Sequence, residues 1–105
     1  MRIYPLLQAL PHSWVEKIQQ VAKIGTPDFL ICLHGVFVAL ELKKDTKSKI
    51  HPMQKHKLQL IRAAGGISIV VTPENWDTTY QFLQQIAHEG YDSLNLKETA
   101  TWDLK

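Results

Sequence analysis

The sequence predicts an α/β domain, a small mixed β-sheet flanked by helices. Three observations carry this. "DFLICL" and "VFVALELK" are apolar runs joined by His34-Gly35, the pattern of a hairpin. "ISIVV" is a third short, β-branched run. The segments after the second and third runs carry apolar residues at helical spacing, and each is entered through a proline, Pro52 or Pro73. Strands that alternate with helices in this way imply helices packed on a sheet.

The elements follow in order. Residues 3 to 10 suit a short helix that ends before Pro11. Residues 13 to 23 admit two readings. Ser13 and Glu16 resemble a capping box, and Trp14, Val15, Ile18, Val21 and Ala22 have helical spacing. "WVEKIQ" also alternates as a half-exposed strand does. Residues 28 to 33 and 36 to 43 form the hairpin. Residues 44 to 50 are a polar loop. A helix starts at Pro52, runs from Met53 to Ala64 and is stopped by Gly65-Gly66. After the strand at 67 to 71, Thr72 is expected to cap a helix with Pro73 at its first position. Trp76, Tyr80, Leu83 and Ala87 make the apolar stripe of that helix, which ends near Gly90. The tail, 91 to 105, has no clear period.

The chain has 105 residues, the size of one domain, with 45% apolar and 21% charged residues. Its single cysteine, Cys32, excludes an internal disulfide and fits a reducing compartment. No segment has the apolar length of a membrane span, and "MRIYPLLQALPH" lacks the features of a signal peptide. The net charge of +2 conceals a local concentration: residues 43 to 57 hold six lysines and one aspartate. Such a basic window is either a solvated loop or the footprint of a polyanion partner.

The chemistry lies at the strand ends. In the second hairpin strand Phe37, Ala39, Glu41 and Lys43 share one face, and Val36, Val38, Leu40 and Leu42 the other. Glu41 and Lys43 are about 7 Å apart along the strand. An antiparallel pairing through His34-Gly35 brings Asp28, at the start of the first strand, beside both. Two close carboxylates repel unless a cation lies between them. A hard divalent ion resolves this, with the Leu42 carbonyl as a further oxygen ligand. Lys43 suits a phosphate oxygen or an attacking water. Gln54 shares a helix stripe with Leu58 and Ile61, where a buried amide needs partners. Taken singly, Asp28 reads equally as a turn residue, and Glu41 and Lys43 as a surface ion pair.

"PD", twelve intervening residues and "ELK" resemble the PD-(D/E)XK nuclease signature. More closely, "GTPDFL…GVFVALELKK…HPMQKHKL…AAGG" resembles the virus-type replication-repair nuclease (VRR-Nuc) domains, common in phages, over residues 12 to 76. The resemblance implies a restriction-endonuclease-like core in the order αβββαβ with an extra C-terminal helix. It implies one nuclease domain over residues 1 to 105, with its core at about 12 to 90. It also implies a DNA endonuclease dependent on Mg²⁺ or Mn²⁺. Asp28 and Glu41 match the family's metal ligands, Lys43 its catalytic lysine and Gln54 a glutamine near the site. The "W-x-x-K-I" segment matches a first strand, which favours the strand for residues 13 onward. Lys17 and Gln19 then share a face that can approach DNA, and Glu16 points the other way.

The expected DNA contacts are Lys17, Lys44, Lys47, Lys49, Lys55 and Lys57. Branched or flapped DNA is the expected substrate, a homodimer the expected assembly, and the cytoplasm of a bacterial or phage-infected cell the expected location. One departure stands out. Related nucleases often draw an acid from the first helix, and residues 1 to 10 have none; Gln8 and Glu16 are the candidates to replace it. A nuclease fold that binds DNA without cutting it, and an interaction module without nucleic acid, are the alternatives.

Overall fold

The computed structural model describes residues 2–18 and 25–90. Expectations that fall on residues 19 to 24, including Gln19, and on the tail, including Trp102, lie outside these. The elements are α1 (Tyr4–Gln8), β1 (Ser13–Lys17), β2 (Phe29–Leu33), β3 (Val36–Leu42), α2 (Pro52–Ala63), β4 (Ile67–Val71) and α3 (Trp76–Glu89). The described strands form one sheet in the order β1-β2-β3-β4. β1 and β3 each pair antiparallel with β2, and β4 runs parallel to β3. A parallel neighbour needs a long crossover, and α2 supplies it. The order and layers are those of a restriction-endonuclease-like α/β fold.

The strand reading of residues 13 onward holds. The turn between β2 and β3 is the two-residue loop expected. His34 and Gly35 both have positive φ, 50° and 81°, the geometry that matches the twist of the flanking strands.

Alternation along the strands divides the sheet's two faces. Phe29, Ile31, Leu33, Val38, Leu40, Ile67, Ile69 and Val71 form the main core with Leu7 of α1 and Phe82, Leu83 and Ile86 of α3. The aliphatic row of β3 therefore faces the core as its sequence implies. The opposite face carries Ala39, Glu41 and Ser68 under α2, whose Leu58 is fully buried. Ser68 donates to the Leu58 carbonyl at 2.8 Å and so ties α2 to β4.

Two boundaries differ from expectation. α1 is shorter than residues 3 to 10, because its last turn gives way to the Pro11 turn. α3 begins at Trp76, with Asn75 rather than Thr72 at its N-cap position. Thr72 to Asn75 instead close a turn of their own: the Asn75 N–H donates to the Thr72 carbonyl at 3.2 Å. Asn75 Oδ1 accepts from the Thr72 N–H at 2.9 Å, and Asn75 Nδ2 donates to the Val70 carbonyl at 2.8 Å. Pro73 occupies the second position of that turn, where its fixed φ is favourable.

Candidate active site

The hairpin register sets the site. Phe29 lies opposite Leu40, so one further step places Asp28 opposite Glu41. Asp28 is anchored on both sides through its own atoms. Its carbonyl accepts from the Ile18 N–H at 2.8 Å. Its Oδ2 accepts from the Leu42 N–H at 2.7 Å. The carboxylate is thus turned toward the end of β3.

Glu41 is 2% exposed. Burial pushes its pKa up from 4.5 to about 8; a hydrogen bond with Asp28 and the Asp28 charge push the same way, and Lys43 opposes them. The Glu41 carboxyl therefore meets that of Asp28 and keeps its own proton near neutral pH.

Gln54, in the first turn of α2, joins this pair to the lysine. Its Nε2 donates to Glu41 Oε2 at 2.7 Å. Its Oε1 accepts from Lys43 Nζ at 3.0 Å and from the His51 N–H at 3.0 Å. Asp28, Glu41, Gln54 and Lys43 form one continuous chain of contacts. The helix start that holds Gln54 is itself fixed by a capping box: His51 Nδ1 accepts from the Met53 N–H at 3.1 Å, and Pro52 follows at N1. Gly25 lets the Thr26-Pro27-Asp28 segment pass close under that helix. Its φ is +90°, and a Cβ there would lie 2.9 Å from the main chain of Met53.

No family model matches the sequence, and no curated protein matches it. A solved structure titled "VRR_NUC domain" is similar to the chain, with a TM-score of 0.57 and 26% sequence identity. The similarity covers 83% of this chain and 87% of that one. The chain has the fold of a VRR-Nuc domain.

The other residues singled out in the sequence fall at different places in the VRR-Nuc fold. Lys47, Lys49 and Lys55 line a cleft of about 880 Å³ together with Lys43, Asp45 and Glu74. Asp45 shapes its rim, because Oδ1 accepts from the Lys47 N–H at 2.9 Å and the Ser48 N–H at 2.8 Å. Lys44 is exposed. Lys57 turns aside, its Nζ 3.5 Å from Thr26 Oγ1, beside an apolar pocket under Phe37 and Leu60.

Lys17 pairs with Phe29 and so lies on the α1 face of the sheet. Glu16 pairs with Leu30, which pairs with Ala39, so Glu16 shares the Glu41 face. Gln8 is exposed on α1, across the sheet from Glu41. Among the described residues no group of three His, Cys, Asp or Glu side chains gathers to hold a metal. The capping role of His51 and the rim role of Asp45 are not among the expectations from the sequence. "HPMQ" holds a signal for the first, a cap residue followed three places later by Gln, but histidine is an uncommon cap.

Proposed function

We propose that this VRR-Nuc domain, one unit over residues 1–105, is a Mg²⁺- or Mn²⁺-dependent DNA endonuclease, selective for branched or flapped DNA and acting as a homodimer. The observation that carries the reading is the paired carboxylates of Asp28 and Glu41, locked through Gln54 to Lys43. A glutamate held protonated by burial and by a second acid is a poor structural device, because it costs stability as pH rises. It is a good device for a cation.

The residues fit a hard divalent ion. Asp28 and Glu41 offer only oxygens. The Leu42 N–H is turned toward Asp28, and in an extended residue the carbonyl faces the same edge, so it is available as a third oxygen. Two carboxylates, a carbonyl and solvent or phosphate oxygens suit Mg²⁺ or Mn²⁺, whereas zinc favours a nitrogen and sulfur set. A divalent cation bound there would neutralise the acid pair and the charge that builds on the phosphoryl oxygens.

The chain's own groups do the rest. Glu41 gives up its proton on loading. Lys43, held by Gln54 Oε1, presents its remaining N–H donors to a phosphate oxygen or to the attacking water. In the reaction a water oxygen bonds to phosphorus, one P–O bond breaks, and the water's protons end on the new termini or in solvent. Lys47, Lys49 and Lys55 hold flanking phosphates in their cleft, Lys44 adds an exposed cation next in the chain to Lys43, and Lys17 on the α1 face and Lys57 beside Thr26 add cations outside the cleft. Binding then weakens as salt rises.

The test is cleavage of end-labelled flapped, branched and linear duplex DNA with Mn²⁺, with EDTA, and by Asp28→Asn. Cutting that needs the metal, favours the branched substrates and disappears in the variant supports the reading. The lack of a third acid among the described residues favours one alternative, a domain that binds DNA without cutting it. Salt-sensitive binding with no cleavage in Mn²⁺ would select that alternative.

A further inference from the structure

A second cavity adjoins the acid pair from the other side of the sheet. It has a volume of about 410 Å³, and its wall includes Arg2, Tyr4, Lys17, Phe29, Asp28 and Leu42. It shares no lining residue with the lysine cleft. The two are nonetheless neighbours in the chain, because Leu42 lines one and Lys43 the other. The C-terminal end of β3 is therefore a ridge between two basic hollows, with Asp28 in the wall of the second and Glu41 buried behind it.

The cavity's cations are unusual in their setting. Arg2 and Lys17 are exposed, and the side chain of neither makes a hydrogen bond or ion pair with another described residue. Lys17 is held in place by the β1–β2 ladder, opposite Phe29 and one residue from the Ile18–Asp28 bond. Tyr4 packs its ring against Phe29, with centroids 5.5 Å apart, and gives the hollow an apolar floor. Two unpaired cations above an aromatic floor, next to a group that handles phosphate, have the chemistry of a phosphate seat.

We propose that this cavity is a second phosphate-binding subsite, with Arg2 and Lys17 as its ligands. It would take a phosphate of the same strand on the side of the acid pair opposite the lysine cleft. This rests on the nuclease reading above. A strand laid across the ridge would have the Lys47 and Lys49 cleft on one side of the reacting phosphate and Arg2 and Lys17 on the other. The source is an internal phosphodiester or a terminal phosphate, and the chemistry is common to both.

The test is the salt dependence of oligothymidylate binding, read by fluorescence anisotropy for the wild type, Arg2→Ala/Lys17→Ala and Lys47→Ala/Lys49→Ala. Single-strand contacts contribute about 0.7 to the slope of log K against log salt for each phosphate. Arg2→Ala/Lys17→Ala, which empties one phosphate subsite, should lower the slope by about 0.7, Lys47→Ala/Lys49→Ala by about 0.7 to 1.4, and the combined variant by the sum of the two. Both Arg2 and Lys17 are exposed and unpaired, so the first variant should keep the wild-type unfolding temperature. Probes with and without a 5′- or 3′-phosphate separate the sources: a slope change confined to one phosphorylated end assigns a terminal phosphate, and a change with every probe assigns an internal one. An unchanged slope in Arg2→Ala/Lys17→Ala, alongside a reduced one in Lys47→Ala/Lys49→Ala, overturns the subsite and leaves the nuclease reading standing. No salt-dependent binding by the wild type overturns both.

Discussion

Replacing Glu41 with Gln removes a charge that the fold keeps from water while preserving the side chain's shape. The new amide still donates toward Asp28 and accepts from Gln54 Nε2. The effect on stability depends on pH, and its sign follows from linkage. The folded protein holds the Glu41 proton up to about pH 8, whereas the unfolded chain releases it near 4.5. The folded state thus binds more protons between these values. Its stability is full below about pH 4.5 and falls as pH rises toward 8.

A rise from 4.5 to about 8 corresponds, at 1.36 kcal/mol per pH unit, to at most about 5 kcal/mol. For a domain of this size each kcal/mol moves the unfolding temperature by about 4–8 °C. The assay is thermal unfolding by circular dichroism in EDTA at pH 5, 6.5 and 8, wild type against Glu41→Gln. Histidine titrations are common to both proteins, so the difference isolates Glu41. The variant should gain on the wild type steadily between pH 5 and pH 8 and be the more stable protein at pH 8. Adding Mg²⁺ at pH 8 should restore the wild type and leave the variant unchanged. A constant separation between the two proteins across this range would refute the account of the acid pair.

Gln54→Ala removes both the partner of Lys43 and half of the capping box. It should cost about 1 kcal/mol of stability and lower cleavage about 10- to 100-fold, with DNA affinity within about twofold of wild type. Measured Kd and single-turnover rates separate the two effects. Gly25→Ala must place a Cβ 2.9 Å from the Met53 main chain at a φ of +90°. It should destabilise the domain by about 2 kcal/mol or more, read as a fall in unfolding temperature, and weaken cleavage through displacement of the α2 start.

Much of the site was legible because the hairpin is a local device. His34-Gly35 fixes the turn, the turn fixes the register, and the register fixes Asp28 against Glu41. Alternation then separates Val38 and Leu40 from Ala39 and Glu41 with no tertiary information. The choice of strand for residues 13 to 17 was not legible from period alone, since Trp14 and Cys32 are exposed and blur the contrast between faces. The depth of Glu41 was also hidden, because it depends on α2 crossing over β3. The same crossover decides that Gln54 reaches Glu41 and Lys43 together, and that Lys55 faces the cleft while Lys57 turns away. Side-chain hydrogen bonds of Asn75 moved the start of α3. The phosphate seat at Arg2 and Lys17 depends on where α1 lies on the sheet, which no motif in residues 2 to 10 encodes.

The central claim is that Lys43, positioned beside the acid pair, serves the chemistry and not merely the fold. The most direct measurement is the single-turnover cleavage rate of Lys43→Ala on a flapped DNA, in Mn²⁺, at enzyme concentrations that saturate binding. The account predicts a rate at least about 100-fold below wild type with the DNA fully bound. A variant that cuts at the wild-type rate would contradict it.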